Sequence, residues 1–306
     1  MHNAERTIYS AISVVVLCSV LALSISCRSG VGSAKASPGA THVVTDDLGR
    51  SITVSVEIKR VVSLAPSVTE SVFAVGAGDK LVGDTTYCDF PEQAKSIAKV
   101  GDTMSPNMET IVALKPDLVL VSTASQIEAF TKTLEQNGIA VYVMNPTSLE
   151  GVMTDLGKLG EMLGTPEKAG VLVLEMRRRM NNVNANLVGA EKTIVFIQIS
   201  KEPLFTIGRD AFLNNVILGA GGLSVTSGVD TAFPKLSKET ASALNPEVII
   251  LSDSEDNREP NEAFKNSPAV KNGRVYKINA DIISRPGPRL VDALEEIARD
   301  LHPERF

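Results

Sequence analysis

Glu109 and Glu239 occupy the same place in a short pattern that the chain uses twice. METIVALKPD, from Met108, and KETASALNPE, from Lys238, both read E-T-x-x-A-L-x-P-[D/E] at a constant offset of 130 (239 − 109). Two carboxylates can act as general acid and base across a cleft, as in glycoside hydrolysis, when they lie about 5–10 Å apart. They can also be ordinary first-turn helix residues, each stabilised by about 0.3–1 kcal/mol through the helix dipole. Asn107 and Ser237 are good N-caps and would put both glutamates in a first turn. Matching positions on two copies of one unit lie too far apart for acid–base work, so a cleft carboxylate hydrolase is a remote alternative. G-x-S-x-G, H-E-x-x-H, paired cysteines and a phosphate-binding loop are all absent, which leaves that alternative without a second motif.

The elements that must carry the glutamates are α/β. RVVSLA, KLVGDT, PDLVLVS and IAVYVMN are short apolar runs separated by helical stretches, the pattern of a parallel sheet. Thr165-Pro166-Glu167 then starts a helix, with Thr as N-cap and Pro at the first position. Ala169, Leu172, Met176, Met180, Val183 and Leu187 keep helical spacing along it, and Arg177-Arg178-Arg179 is expected on its solvated face. The alternation resumes with TIVFIQIS, FLNNVILGAGG, PEVIILS, GRVYKIN and a last helix from about Arg289 to Leu301. The fold expected is therefore α/β, with two similar lobes built on parallel sheets and joined by one long rigid helix. The boundaries are a signal segment at 1–27, a flexible tether at 28–41, lobes at 42–164 and 191–306, and the connecting helix at 165–190.

The N-terminus reads as an export signal. Arg6 precedes an apolar stretch that closes at LSISC, and Cys27 is the residue a lipoprotein would carry its lipid on. Ordinary cleavage after Ala36 and an uncleaved anchor are the alternatives, and all three export the remainder. Cys88 is left unpaired and reads as a small buried thiol. With 306 residues, 43% hydrophobic content and a net charge of −6, the chain supports two ordinary lobes and lacks the basic field nucleic acid would require.

RVVSLAPSVTESVFAVGAGDKLVG, TTYCDFPEQAK, PNMETIVALKPDLVLVS, EPLFTIGRDAFLNNVILGAGG and RPGPRLVDALEEIA together resemble the substrate-binding proteins of ABC importers for cobalamin and iron–siderophores. The resemblance runs from about Val43 to Leu301. It implies ligand capture between two lobes with little hinge motion, no enzymatic activity, no resident cofactor and a monomeric chain at the extracytoplasmic face of the membrane. It implies a permease and its ATPase subunits as partners, with Glu109 and Glu239 docking onto permease arginines. TTYCDFPEQAK points to the cobalamin branch, in which Tyr87 and Phe233 would pack on the corrin while Asp281 and Arg285 bond its polar groups. An iron(III)-siderophore or haem is the alternative ligand. The histidine-rich ligand sets of zinc- and manganese-binding relatives are missing, so no metal site is expected. Thr103 stands where the cobalamin branch carries an aromatic residue, and the chain has no Trp.

Overall fold

The computed structural model describes residues 40–122 and 127–306, with side chains undescribed at 127–130. The signal segment, nearly all of the tether and Cys27 lie outside these residues. The described residues open with an antiparallel hairpin, β1 (Thr41–Thr45) and β2 (Ser51–Ser55). The first lobe then runs β3 (Val61–Ser63), α1 (Pro66–Ala74), β4 (Leu81–Gly83), α2 (Met108–Ala113), β5 (Leu118–Ser122), α3 (Ile127–Gln136) and β6 (Ala140–Met144). Next come α4 (Leu149–Met162) and the long α5 (Pro166–Asn186). The second lobe repeats the plan: β7 (Thr193–Gln198), α6 (Phe212–Gly219), β8 (Gly222–Ser224), α7 (Lys238–Ala243), β9 (Val248–Asp253), α8 (Pro268–Lys271) and β10 (Val275–Asn279). Helices α9 (Ala280–Ser284) and α10 (Leu290–Leu301) complete it.

The two sheets are wholly parallel and share one strand order, β4-β3-β5-β6 and β8-β7-β9-β10. Their central strands read as unbroken apolar runs because helices cover both faces; β5 and β9 are buried along nearly their whole length.

The repeated motif is a hinge between helix and strand in each lobe. Asn107 and Ser237 accept from the backbone N–H of Thr110 and Thr240, capping α2 and α7 as their spacing predicts. Each helix ends at a leucine followed by a left-handed residue, Lys115 (φ 48°) and Asn245 (φ 47°), and the next proline blocks continuation. The acidic residue after that proline ties the coming strand to its neighbour. Asp117 accepts from the N–H groups of Lys59 and Arg60 at 2.8 and 2.9 Å, and Glu247 accepts from Ile194 N–H at 3.0 Å. Asp117 and Glu247 thus have a structural task that Glu109 and Glu239 do not share.

Helix α5, about 30 Å long at 1.5 Å per residue, belongs to both lobes at once. Ala169, Met176 and Val183 are its buried stripe, and α4 packs along its first half. Gly160 on α4 permits that approach, since a Cβ there would sit 2.2 Å from the Ala169 Cβ. Arg177 pairs with Glu150 on α4, whereas Arg179 pairs with Asp292 and Glu295 on α10. Arg177 and Arg178, the latter bonded to Glu175 of the same helix, are exposed as expected, and only Arg179 is half-buried. One hydrophobic cluster runs from Val61 and Leu120 through Met176 and Val183 to Ile197 and Leu294. A continuous core of that kind resists relative motion of the lobes, because close-packed interiors do not deform smoothly. Helix α4 was not anticipated. Ser148 caps it by accepting from Gly151 N–H, and Val152, Leu156, Leu159 and Leu163 carry the helical spacing that marks it.

Candidate functional site: the cleft between the lobes

A cavity of about 490 Å³ opens between the lobes, walled by Ala65–Ser67, Thr103, Ser122 and Met144–Thr147 from the first and by Asp210, Phe212, Ala232, Phe233 and Ser284–Pro286 from the second. Most of this wall is apolar or carries hydroxyl and amide groups, and among the described residues only Asp210 and Arg285 on it are charged. The repeat explains part of the layout. Thr103 and Phe233 are related by the same 130-residue offset, and each lies on the loop six residues before its glutamate. One loop–helix segment per lobe therefore supplies both a wall of the cavity and an exposed glutamate.

Phe233 is 50% exposed at this wall, held by a loop whose Gly208 and Ala232 are joined by a 2.9 Å backbone bond. A Cβ at Gly208 would lie 2.0 Å from the Thr231 carbonyl oxygen, so only glycine fits there. Tyr87 is placed differently. It is 61% exposed and is not part of the cavity wall. The turn carrying it, closed by Cys88 N–H donating to Thr85 O at 3.0 Å, buries the cysteine instead. Thr69 Oγ1 donates to the Cys88 sulfur at 3.1 Å, and burial pushes the thiol above its usual value.

Arg285 lines the cavity but is engaged by carboxylates on several sides. Its Nη1 donates to Glu70 Oε1 and Asp89 Oδ1, both at 2.9 Å, and its Nη2 donates to Asp281 Oδ1 at 2.7 Å. Arg289 donates to Glu70 at 2.8 Å through Nε and at 2.6 Å through Nη2, and its guanidinium lies 4.2 Å over the Phe90 ring. Glu70 and Asp89 belong to the first lobe, the arginines and Asp281 to the second, so the cluster fastens one lobe to the other. Against the upward pull of burial, Arg285 holds the Asp89 carboxyl below its ordinary value. Asn215 Nδ2 adds a 3.0 Å bond across the cleft to Thr147 O. Of the four residues expected to meet ligand, Phe233 and Arg285 thus reach the wall, while Asp281 bonds Arg285 without lining the cavity.

Glu109 and Glu239 are exposed and take no part in the cavity wall. Hydrogen bonds from its own backbone and from Ser237 hold the Glu239 carboxyl below the usual glutamate range. Glu70, Asp89 and Asp210 were not singled out from the sequence. Glu70 had a visible sign: it is the only charged residue between Arg60 and Asp79.

Residues 61–282 match the periplasmic binding protein family. The chain belongs to that family. This periplasmic binding protein is 33% identical over 272 residues to an ABC transporter substrate-binding lipoprotein of Bacillus subtilis, YvrC, covering 86% of each chain. Its fold superposes on the periplasmic vitamin B12 binding protein BtuF of Vibrio cholerae with a TM-score of 0.72 at 28% identity, over 80% of this chain and 97% of that one. A periplasmic heme binding protein from Pseudomonas aeruginosa is similar at a TM-score of 0.71 and 25% identity, over 80% and 93%. These are binding proteins and not enzymes, as expected, and the two-lobed architecture is the one the sequence implied.

Proposed function

We propose that this periplasmic binding protein is the extracytoplasmic component of an ABC importer, capturing a corrinoid such as cobalamin between its lobes and delivering it to the permease. The observation that carries this reading is the interlobe cavity, with Phe233 exposed on a largely apolar wall and amide or hydroxyl groups around it. A flat macrocycle edged with polar side groups requires such a surface, since its faces gain from apolar and aromatic contact. The similarity to the Vibrio cholerae protein supports the same ligand class. Similarity to the Pseudomonas aeruginosa protein favours a second reading, in which haem or a ferric siderophore occupies the cleft. Glu109 and Glu239 dock the permease, and Cys27 carries the lipid that holds the protein at the membrane.

Titration of the purified protein with cobalamin, cobinamide, haem and ferric siderophores, followed by absorbance after equilibrium dialysis, tests the ligand. Saturable one-to-one retention of a corrinoid is expected, and retention of haem or siderophore alone overturns the first reading. Fatty-acid labelling that persists in Cys27→Ser overturns the anchor.

A further inference from the structure

The electrostatics of the cleft, taken with the ligand class proposed above, point to a selectivity that the fold does not itself confer. Among the described residues Arg285 is the only cation on the cavity wall, and its guanidinium already serves three carboxylates, Glu70, Asp89 and Asp281. Arg289, the other cation of the cluster, is held by Glu70 and covered on one face by Phe90. Asp210 is the only anion on the wall among the described residues, and it is exposed. No lysine, arginine or histidine pairs with it among the described residues, and its neighbour Arg209 is committed to Asp230. Taking the wall together with the cluster that holds Arg285, two guanidiniums stand against four carboxylates, and the unbalanced charge is negative.

We infer that the cleft selects ligands whose edge carries uncharged amides and rejects the matching carboxylates, with Asp210 as the residue that sets this preference. An amide N–H can donate to the Asp210 carboxylate or to the carbonyl and hydroxyl oxygens of Asn145 and Thr147 on the wall. A carboxylate in the same place meets no cation that is free to pair with it, and a charge desolvated without a partner is strongly disfavoured. It also faces like charge, which is how interfaces exclude wrong partners. The inference rests on the corrinoid reading for its ligand but not for its electrostatics, which apply to any planar chelate entering this cavity.

The test compares matched pairs that differ only in edge charge. One pair is cyanocobalamin and its monocarboxylic acids, made by partial hydrolysis of side-chain amides; the other is haem dimethyl ester and haem. The amide or ester member should bind at least about tenfold more tightly, because like-charge juxtaposition is costly but partly screened at an open cleft. Asp210→Asn removes one charge at an exposed position, so folding is unaffected and the preference should shrink toward unity. Higher salt should shrink it in the wild type as well. Equal or tighter binding of the acid by the wild type overturns the inference while leaving the corrinoid reading intact. An unchanged ratio in Asp210→Asn overturns the role of that residue. If neither corrinoid binds but the ester still outcompetes haem, the corrinoid reading fails and the selectivity stands. If none of the four binds, both fail.

Discussion

Replacing Glu70 with Gln should weaken the whole protein, although the residue lies beside the cleft and not in a sheet. The side chain is 3% exposed and accepts three hydrogen bonds from arginines of the other lobe. Removing one partner of a buried ion pair costs about 3–5 kcal/mol, because the remaining charge stays buried without compensation. The two arginines are not equally affected. Arg285 keeps Asp89 and Asp281, whereas Arg289 keeps only the Phe90 face. Gln also retains one acceptor oxygen, so the expected loss falls at the low end, about 3 kcal/mol, and Glu70→Ala should lie nearer 5. In a chain of this size that corresponds to a fall in Tm of roughly 5 °C for Gln. Urea unfolding followed by far-ultraviolet circular dichroism is the suitable assay, since the chain lacks tryptophan; the midpoint should drop with the slope unchanged. The double variant Glu70→Gln/Arg289→Met should regain part of the loss, because the stranded charge has gone. A Glu70→Gln midpoint within about 0.5 kcal/mol of wild type would refute the reasoning, as that is the range of an ordinary surface substitution.

At the cavity wall, Phe233→Ala should cost about 1–3 kcal/mol of ligand affinity by calorimetry, the scale of a buried aromatic contact, and an unchanged affinity would place the ligand elsewhere. Glu109→Ala and Glu239→Ala should bind ligand and fold as wild type yet fail in delivery, since an unpaired interfacial arginine costs about 2–5 kcal/mol; uptake at the wild-type rate by the double variant would reduce both to helix-terminal residues. Asp155 offers a pH test: burial, reinforced by Asp47, pushes its carboxyl up from 3.8 to about 7. The folded chain then holds a proton that the unfolded chain has released, so this contribution is complete below pH 3.8 and is lost as pH rises through about 7. Asp155→Asn should therefore gain about 1–3 kcal/mol on wild type between pH 5 and pH 8, and a difference independent of pH would show that the carboxyl titrates normally.

The sequence by itself determined the elements whose signals are local. Strands β3, β5, β7 and β9 were legible because strands buried on both faces must be apolar throughout. The caps of α2 and α7 were legible because Asn and Ser bond the backbone three residues on. The repeat announced two like lobes, since matching caps, leucines and prolines at one offset require matching backbone. Helix α4 was less legible although its leucines are periodic, because Gly151, Gly157 and Gly160 lower its intrinsic helix propensity and tertiary packing against α5 supplies its stability. The tertiary structure alone decided which charges meet. Glu70 lies more than 200 positions before Arg285 and Arg289, and no local pattern relates residues that far apart. It also decided that Phe233 and Thr103 share one cavity while Tyr87 is no part of its wall. Charge balance in a cleft is a property of what the fold brings together, so the pairing of Arg285 with three carboxylates and the lack of a cation on Asp210 among the described residues could be read only there.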